Sequence, residues 1–581
     1  MGEGELLIGA WAAYIGPGDE VTLRALLGPD AQTCTGPGYG LGAGSAGGGE
    51  PATIEVAGDG SATASIGHAD GGCAATIAAA GPTLTLTRDP FGFYGVYTAH
   101  VDGVLWCASD ARMLQRLPGA PDRLDPSALH GYLCFSYVPA PLTLVSGVAA
   151  LPAGSRLVMT PHERRCEATA AWQEAAPLEA TEAASIGELR ARLRAAVARR
   201  LGAEREVGVF LSGGLDSSLI AALLVEAGAH VHLFTLDFGP PFAVELPYAR
   251  KVAAHLGRPL RVVSARPADV QAALLPAAAA LEQPFGDGAI VPLYLVGRAA
   301  SREVDVVFNG EGGDQLFGGW ANKPLIAAEL YGGPGYDREA AYLATFHRFY
   351  GLADQFYTPR AQALVTGAAA GAGGDVGAWV HPALASPGFG SLLHRLRAAN
   401  LLLKGAQNIA PRAVQSAAAC GLRVRMPFFD RALAEWTFAL PPEWFLRGAC
   451  EKYLLKRAAE PYLPPEVVWR EKRGMGVSTT HWCLGPLRRE VGRWLDPRHL
   501  EREGWFQPAA VSTLRSGEDQ PGEYRRRRVG EKLWTLVMLQ AWLATRERPL
   551  TWPTQTAGGR PRTAGERRWT AEVSPVPPVR R

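Results

Sequence analysis

Val209-Phe210-Leu211-Ser212-Gly213-Gly214-Leu215-Asp216-Ser217-Ser218 is the stretch from which the rest of the chain can be read. An apolar run ends, two glycines follow, and a helix-forming segment begins. The glycines let backbone N–H groups approach an anion closely, and the N-terminus of the next helix adds partial positive charge. Around the turn from Leu211 through Gly214, Ser212, Ser217 and Ser218 can donate hydroxyl hydrogen bonds to phosphate oxygens. Asp216 does not suit bare phosphate, but it suits a Mg2+ ion that the phosphates share. The GK[ST] ending of a Walker loop is absent. A plain Ser/Gly turn is the competing reading, but strand, glycines, carboxylate and helix stand in the order that anion binding requires.

On both sides of this stretch, strands and helices alternate. Val207–Leu211, Val231–Leu236, Leu260–Val263 and Asp305–Asn309 read as apolar strands. Ser218–Ala229 and Pro247–Gly257 read as helices between them. This alternation implies a doubly wound parallel sheet covered on both faces. Arg190–Ala203 reads as a helix just before it, with Ser185 and Glu188 placed as a capping box. From about residue 322 to residue 546 the pattern is mainly helical, and this extension is expected to wall the site.

The first 175 residues are β-rich, with Tyr94–His100 and Val104–Ala108 as strands around the turn Asp102-Gly103. The Gly-rich run from Gly36 to Gly49 reads as a flexible loop, because no strand-then-helix context surrounds it. Ala175–Thr181 reads as a linker, and 551–581, rich in Pro, Arg, Thr and Gly, as a disordered tail. The expected organisation is therefore 1–175, 186–546 and a tail.

Bulk properties exclude several classes. Among 581 residues, 47% are apolar and 20% charged, as in a globular protein, and the net charge of +2 gives no case for nucleic-acid binding. No membrane span or signal peptide is read, so a cytoplasmic location is expected. Eight scattered cysteines show no metal-ligand spacing and read as thiols in a reducing compartment.

Further motifs carry a resemblance. SGG-x-DS after an apolar strand resembles the signature of the ATP pyrophosphatase group. Asn309-Gly310-Glu311-Gly312-Gly313-Asp314-Gln315-Leu316-Phe317-Gly318-Gly319 resembles the SGEG-x-DE-x-FGG element of asparagine synthetases. Leu281–Asp287, Leu422–Asp430, Lys452-Tyr453-Leu454-Leu455 and Lys472–Val477 resemble that family's LDEPF, LEVRVPFLD, KYLLR and KKGFGVP segments. Arg88-Asp89-Pro90-Phe91-Gly92 resembles the RD-x-FG strand end of its glutaminase domain, and Gly131–Pro141 its junction.

The resemblance implies an antiparallel β-sandwich with helices of the N-terminal-nucleophile type, followed by the ATP pyrophosphatase domain. It also implies an ATP- and Mg2+-dependent ligase that adenylates a carboxylate, releasing AMP and pyrophosphate, and forms an amide. Leu211, Ser212, Gly213, Gly214, Asp216, Ser217, Ser218, Asn309 and Gly310 would bind ATP and its pyrophosphate. Asp216 and Asp314 would hold the metal. Lys452 would stabilise charge on the phosphates, and Glu311 would take the proton of the incoming nitrogen.

The chain departs from the family at defined points. Gly2 stands where the glutaminase cysteine is usual, and the NGEIYN and HRGPD segments are not found, so the sandwich is expected to be inactive on glutamine. Cys34 and Cys73 read as lying in Gly-rich loops. Val414–Ala419 replaces DRMSMA, Arg423 replaces a glutamate, and Gln315 replaces the glutamate after the metal aspartate. These changes are expected to fall near the acyl substrate.

Three functions follow. One is a synthetase fed by ammonia or a separate glutaminase. Another is a cyclase of the β-lactam synthetase or lasso-peptide type, whose amine lies within a small-molecule or precursor-peptide substrate. The third is a non-catalytic scaffold. Glu311 favours the first over a β-lactam synthetase, whose base is a tyrosine.

Overall fold

The computed structural model describes residues 10–16, 18, 20–28, 30–36, 39–44, 52–57, 61–68, 73–80, 83–160, 162–169, 172–174, 180–240, 242, 244–319, 325–326, 333, 336–346, 349, 352–369, 376–385, 388–471, 479–517 and 523–551. Gly2, most of the expected linker, Lys472–Val477 and the tail after Thr551 lie outside the described residues.

The β-rich part is a sandwich of two six-stranded antiparallel sheets. The first contains β1 (Ala10–Ile15), β2 (Gln32–Gly36), β3 (Tyr39–Gly44), β8 (Tyr97–Val101), β9 (Val104–Ala108) and β10 (Val148–Ala150), in the order β10-β8-β9-β1-β3-β2. The second contains β4 (Ala52–Val56), β5 (Ala62–His68), β6 (Cys73–Ala80), β7 (Thr83–Arg88), β11 (Ser155–Met159) and β12 (Arg164–Ala168), in the order β12-β11-β7-β6-β5-β4. Alternation decides the faces. Leu84 and Leu86 of β7 are fully buried against Trp11, Leu41 and Ile77, while the intervening threonines are half-buried. On the other side of the first sheet, Leu23 and Leu26 of the helix Glu20–Leu27 and Met113 and Leu114 of the helix Ala111–Arg116 cover Tyr14 and Trp106.

The Gly-rich run is a correction to the sequence reading. Tyr39–Gly44 is a buried central strand, β3, paired with both β1 and β2. Glycine is needed there because the ring of Tyr14 lies across the strand: a Cβ on Gly40 would meet its Cε1 at 2.3 Å. Cys34 lies in β2 and Cys73 opens β6, so neither sits in a loop.

The parallel sheet contains β13 (Glu206–Phe210), β14 (His230–Asp237), β15 (Leu260–Ser264), β16 (Val306–Phe308) and β17 (Arg423–Arg425), in the order β15-β14-β13-β16-β17. Numbered along the chain this is 3-2-1-4-5, so the direction of winding reverses between β13 and β16. Consecutive residues of β16 are all fully buried, as helices on both faces require. The helix before the sheet runs Glu182–Leu201 and is capped by Thr181, whose hydroxyl accepts from Ala184 N at 3.2 Å. Ser185 is inside that helix and buried, so it is not the cap. Among the described residues, no helix is long and apolar enough to cross a membrane.

The segment Arg88–Phe93 joins the sandwich to the rest. The Asp89 carboxylate accepts from Phe91 N and Phe93 N at 2.9 and 3.0 Å, while Arg88 donates to the carbonyls of Tyr94, Leu151 and Gly92. This fixes Phe91 and Phe93 against Phe429, with ring centroids 5.3 and 5.9 Å apart. Each aromatic pair contributes about 1 kcal/mol beyond its buried area.

Beneath the sheet rim, fully buried Arg397 lies over Phe445, 3.7 Å from the ring centroid. It donates from Nε to Leu316 O at 2.7 Å and from Nη1 to His394 Nδ1 at 2.8 Å. His394 in turn donates from Nε2 to Leu440 O at 2.8 Å. Burial, and then the Arg397 charge, push the His394 pKa from 6.5 down to about 3. Below pH 6.5 the unfolded chain therefore binds a proton that the native imidazole refuses. Stability is expected to fall as pH drops from 6.5 towards 3, by up to about 1.4 kcal/mol per unit from this group. Urea midpoints measured across that window should show a shallower acid slope for His394→Gln than for the native chain.

Candidate active site

Two loops meet where the winding reverses. The first leaves β13 at Leu211 and enters the helix Leu215–Glu226; the second leaves β16 at Asn309 and enters the short helix Gly313–Phe317. In the first loop Gly213 has φ +75°, and Ser212 Oγ accepts from Gly214 N at 3.2 Å and lies 3.1 Å from Ser217 Oγ. The helix is capped by Gly214 with no side-chain hydrogen bond, so its first-turn amides meet no capping group of their own. In the second loop Asn309 N donates to Arg425 O at 3.1 Å and Asn309 Oδ1 accepts from Glu311 N at 3.1 Å, which fixes the turn after β16.

Between the loops lies the ammonium of Lys452. It stands 2.5 Å from Asp216 Oδ2 and 2.5 Å from Asp314 Oδ1, and its side chain is only 4% exposed. Lys452 has φ +55°, a left-handed conformation that costs a residue with a Cβ about 1 kcal/mol or more. Lys452 is the N-cap between the strand Cys450–Glu451 and the helix Tyr453–Ala459, and its side chain lines the cleft. The fit to a hard divalent cation is direct. Two carboxylates already converge on one cation, and Asp216 Oδ1 is buried with no hydrogen-bond partner among the described residues.

Around this centre are Lys456, whose Nζ donates to Arg470 O at 3.3 Å, and Arg470, which donates to Gly213 O at 3.3 Å, pairs with Glu245 at 3.2 Å and lies over Tyr248. On the other side Glu311 pairs with Arg412 at 3.0 Å, and Arg412 also contacts Asp287. Arg412 is buried on the helix Ala410–Ala418, next to a π-helical turn, Leu401–Ile409, that carries Lys404 and Asn408. Asn408 Oδ1 and Gln315 Oε1 are buried without a hydrogen-bond partner among the described residues, and both line the cavity.

The cavity has a volume of about 660 Å³. Ser212, Gly214, Asp216, Ser217, Asn309, Gly310, Glu311, Asp314 and Lys452 all line it. Leu211, Gly213 and Ser218 lie behind that surface, Ser218 fully buried in its helix. The wall expected from the helical region is present in Tyr342, Lys404, Asn408 and Arg412, and Phe135–Tyr137, at the end of the helix Pro126–Phe135 that packs with that region, close it as well. Of the substitutions expected near the acyl substrate, Gln315 lines the cavity. Arg423 instead pairs with Glu204 at 3.0 Å, and Gln415 accepts from Glu282 N at 3.1 Å, away from it.

Arg412, Asn408, Lys404, Lys456 and Arg470 escaped the sequence reading. The first three carried a signal: they recur every fourth residue and so share one helical face. Arg412 stands three positions before Gln415, where the family arginine is usual.

A phosphate-type loop at the switch point of a 3-2-1-4-5 parallel sheet, with a carboxylate pair beside it and an antiparallel sandwich joined to the sheet through Phe91 and Phe93, defines a nucleotide-using α/β enzyme with a glutaminase-type neighbour. Residues 188–544 match the family model described as asparagine synthase, and residues 65–170 match a glutamine amidotransferase domain. The chain belongs to the asparagine synthase family and is an ATP-dependent carbon–nitrogen ligase. It is 29% identical over 509 residues to a Mycobacterium bovis protein named "Putative asparagine synthetase", covering 79% of this chain and 74% of the relative. It is 25% identical over 480 residues to a glutamine-hydrolysing asparagine synthetase of Bacillus subtilis, covering 78% and 74%. Against the human asparagine synthetase it is 28% identical over 303 residues, covering 50% and 43%.

The narrowest point of the site is Gly319. A Cβ there would fall 1.7 Å from Lys452 Cε and 2.4 Å from Asp314 Oδ1. Gly319→Ala is expected to displace the ammonium by about an ångström and lower kcat/KM about 10²-fold, with little change in Tm. Steady-state release of pyrophosphate reads this directly.

Proposed function

We propose that this chain adenylates a carboxylate with ATP, releases pyrophosphate, and passes the acyl group to ammonia or an amine without hydrolysing glutamine itself. The observation that carries the proposal is one cleft holding two charge clusters side by side, Asp216–Lys452–Asp314 and Glu311–Arg412–Asp287. The first cluster suits the β- and γ-phosphates, and the second suits the reacting acyl group and its nucleophile.

Backbone amides after Ser212 and the helix N-terminus grip the pyrophosphate portion of ATP. Bound to Asp216 and Asp314, Mg2+ would neutralise charge on the departing pyrophosphate. Lys452 then turns from the carboxylates towards phosphate oxygens, and Lys456 lies near enough to share that charge. Glu311, oriented by Arg412, accepts the proton of the attacking nitrogen. Holding amine and adenylate together supplies an effective molarity on the order of 10⁵ M or more, so amide formation outruns hydrolysis.

The absence of glutaminase activity is supported by the chemistry of the cysteines in the sandwich. A nucleophilic thiol needs a depressed pKa. For two thiols of the sandwich burial does the opposite, pushing Cys107 of β9 up to about 12 and raising Cys166 of β12. A second reading, a cyclase whose amine belongs to the substrate, is favoured by the size of the cleft. Lys404, Asn408, Tyr137 and Tyr342 line it besides Glu311, and its volume of about 660 Å³ leaves room for an acid larger than aspartate.

Purified chain with Mg2+, ATP and a panel of acids, with and without ammonia, should release AMP and pyrophosphate in equal amounts. Accumulation of ADP would sink the proposal. Glutamine should yield no glutamate. Ammonia-independent turnover of an acid carrying its own amine would select the cyclase reading. Glu311→Gln should lower amide formation about 10²-fold or more while ATP–pyrophosphate exchange stays within a few fold of native. Equal loss of both would assign Glu311 to holding Arg412 instead.

A further inference from the structure

The strands of the parallel sheet begin at the rim opposite the nucleotide cleft. There β13 opens on Glu206 and β14 on His230, and the two residues are register partners in the parallel ladder. His232 follows two residues on, so both imidazoles project from the same face of β14. Their rings stand 4.8 Å apart, nearly perpendicular. His232 Nε2 lies 2.7 Å and His230 Nδ1 3.3 Å from the same oxygen, Glu206 Oε1.

We infer that Glu206, His230 and His232 form a binding site for a divalent transition metal, with Zn2+ the best match. One ligand atom from each residue lies within 4.8 Å of the other two. In a tetrahedral Zn2+ site with bonds of about 2.0–2.1 Å, ligand atoms stand about 3.3 Å apart. The observed separations reach that value with small side-chain rotations, which the exposure of His230 and Glu206 (60% and 58%) permits.

His232 supplies the second, independent observation. Its other nitrogen, Nδ1, faces Glu303 Oε2 at 3.3 Å, and Glu303 is held by Arg261 at 3.1 Å. A neutral imidazole has one N–H, so it can donate to only one of its two carboxylate neighbours. A metal at Nε2 removes the conflict: the lone pair goes to the metal and Nδ1–H donates to Glu303. Ligand, imidazole and an anchored outer carboxylate in line is the arrangement that orients metal-binding histidines and raises their basicity. Two imidazoles and one carboxylate select Zn2+ and its neighbours over Mg2+ or Ca2+, which prefer oxygen alone. Water would complete the coordination, and the site would pin the start of β14 to β13 and to the turn before β16. It is distinct from the all-oxygen pair Asp216 and Asp314 and does not depend on the reaction proposed above.

The test is calorimetric titration of metal-stripped, full-length chain with ZnCl2, without ATP or Mg2+, repeated with Co2+ while recording its visible absorption. The expected result is one equivalent bound, with the intense visible bands of four-coordinate Co2+. Both signals should vanish in His230→Ala/His232→Ala, and Glu303→Gln should weaken binding about 10- to 100-fold. Circular dichroism of the metal-free variants should match that of the metal-free native chain, which separates loss of the site from loss of the fold. An equivalent that persists in the double variant, or a native chain that takes up no Zn2+ or Co2+, would overturn the assignment. Unchanged affinity in Glu303→Gln would overturn the role given to Glu303.

Discussion

Two carboxylates on neighbouring loops cannot stay close at the rim of a sheet unless a cation lies between them. The oxygens of Asp216 and Asp314 that touch Lys452 can be no further apart than twice 2.5 Å. At that separation their repulsion is about 3 kcal/mol at an effective dielectric near 20. The Lys452 ammonium offsets it, and the rest of the site is arranged around that balance. The left-handed backbone at Lys452, the missing side chain at Gly319 and the Arg397 clamp on Leu316 all serve to keep one charge between two others.

Much of this was legible in the sequence, for identifiable reasons. Strands buried on both faces must be apolar throughout, so Val207, Val209, Val231 and Val306–Phe308 announced a parallel sheet. The loop residues around Asp216 and Asp314 follow those strands directly, so their meeting followed from the topology. The fifth strand, Arg423–Arg425, hid because an edge strand of alternating arginine and valine lacks the apolar run. Tyr39–Gly44 hid for a different reason. A strand made mostly of glycine has no side-chain pattern to read, and its burial is imposed from outside by Tyr14 and Leu27. Arg412 escaped because it stands three residues from the family position; on a helix, that is nearly one turn and the same face.

The junction between sandwich and parallel sheet is built from side chains whose types the sequence displayed but whose use it did not. Arg88 and Asp89 spend their hydrogen bonds on the loop that holds Phe91 and Phe93. Glu282, from the segment before Pro284, is buried beside Tyr97, and burial followed by Asp110 raises its pKa to about 8. Tyr132 donates to Thr535 O at 2.8 Å, tying the helix Pro126–Phe135 to the synthetase part, within which Trp542 donates to Leu281 O at 2.9 Å. A seam of buried, mostly hydrogen-bonded polar groups and of tilted and edge-on rings behaves as an interior rather than as a hinge.

Phe135, Ser136 and Tyr137 stand at the end of the helix Pro126–Phe135, which precedes the parallel sheet in the chain, yet that helix packs into the core of the later helical region and these residues face the cavity. The N-terminal part of the chain thereby becomes masonry for its neighbour. Excision of that part would take a piece of wall with it and leave the reaction chamber roofless and open to water, whatever chemistry the sandwich itself performs.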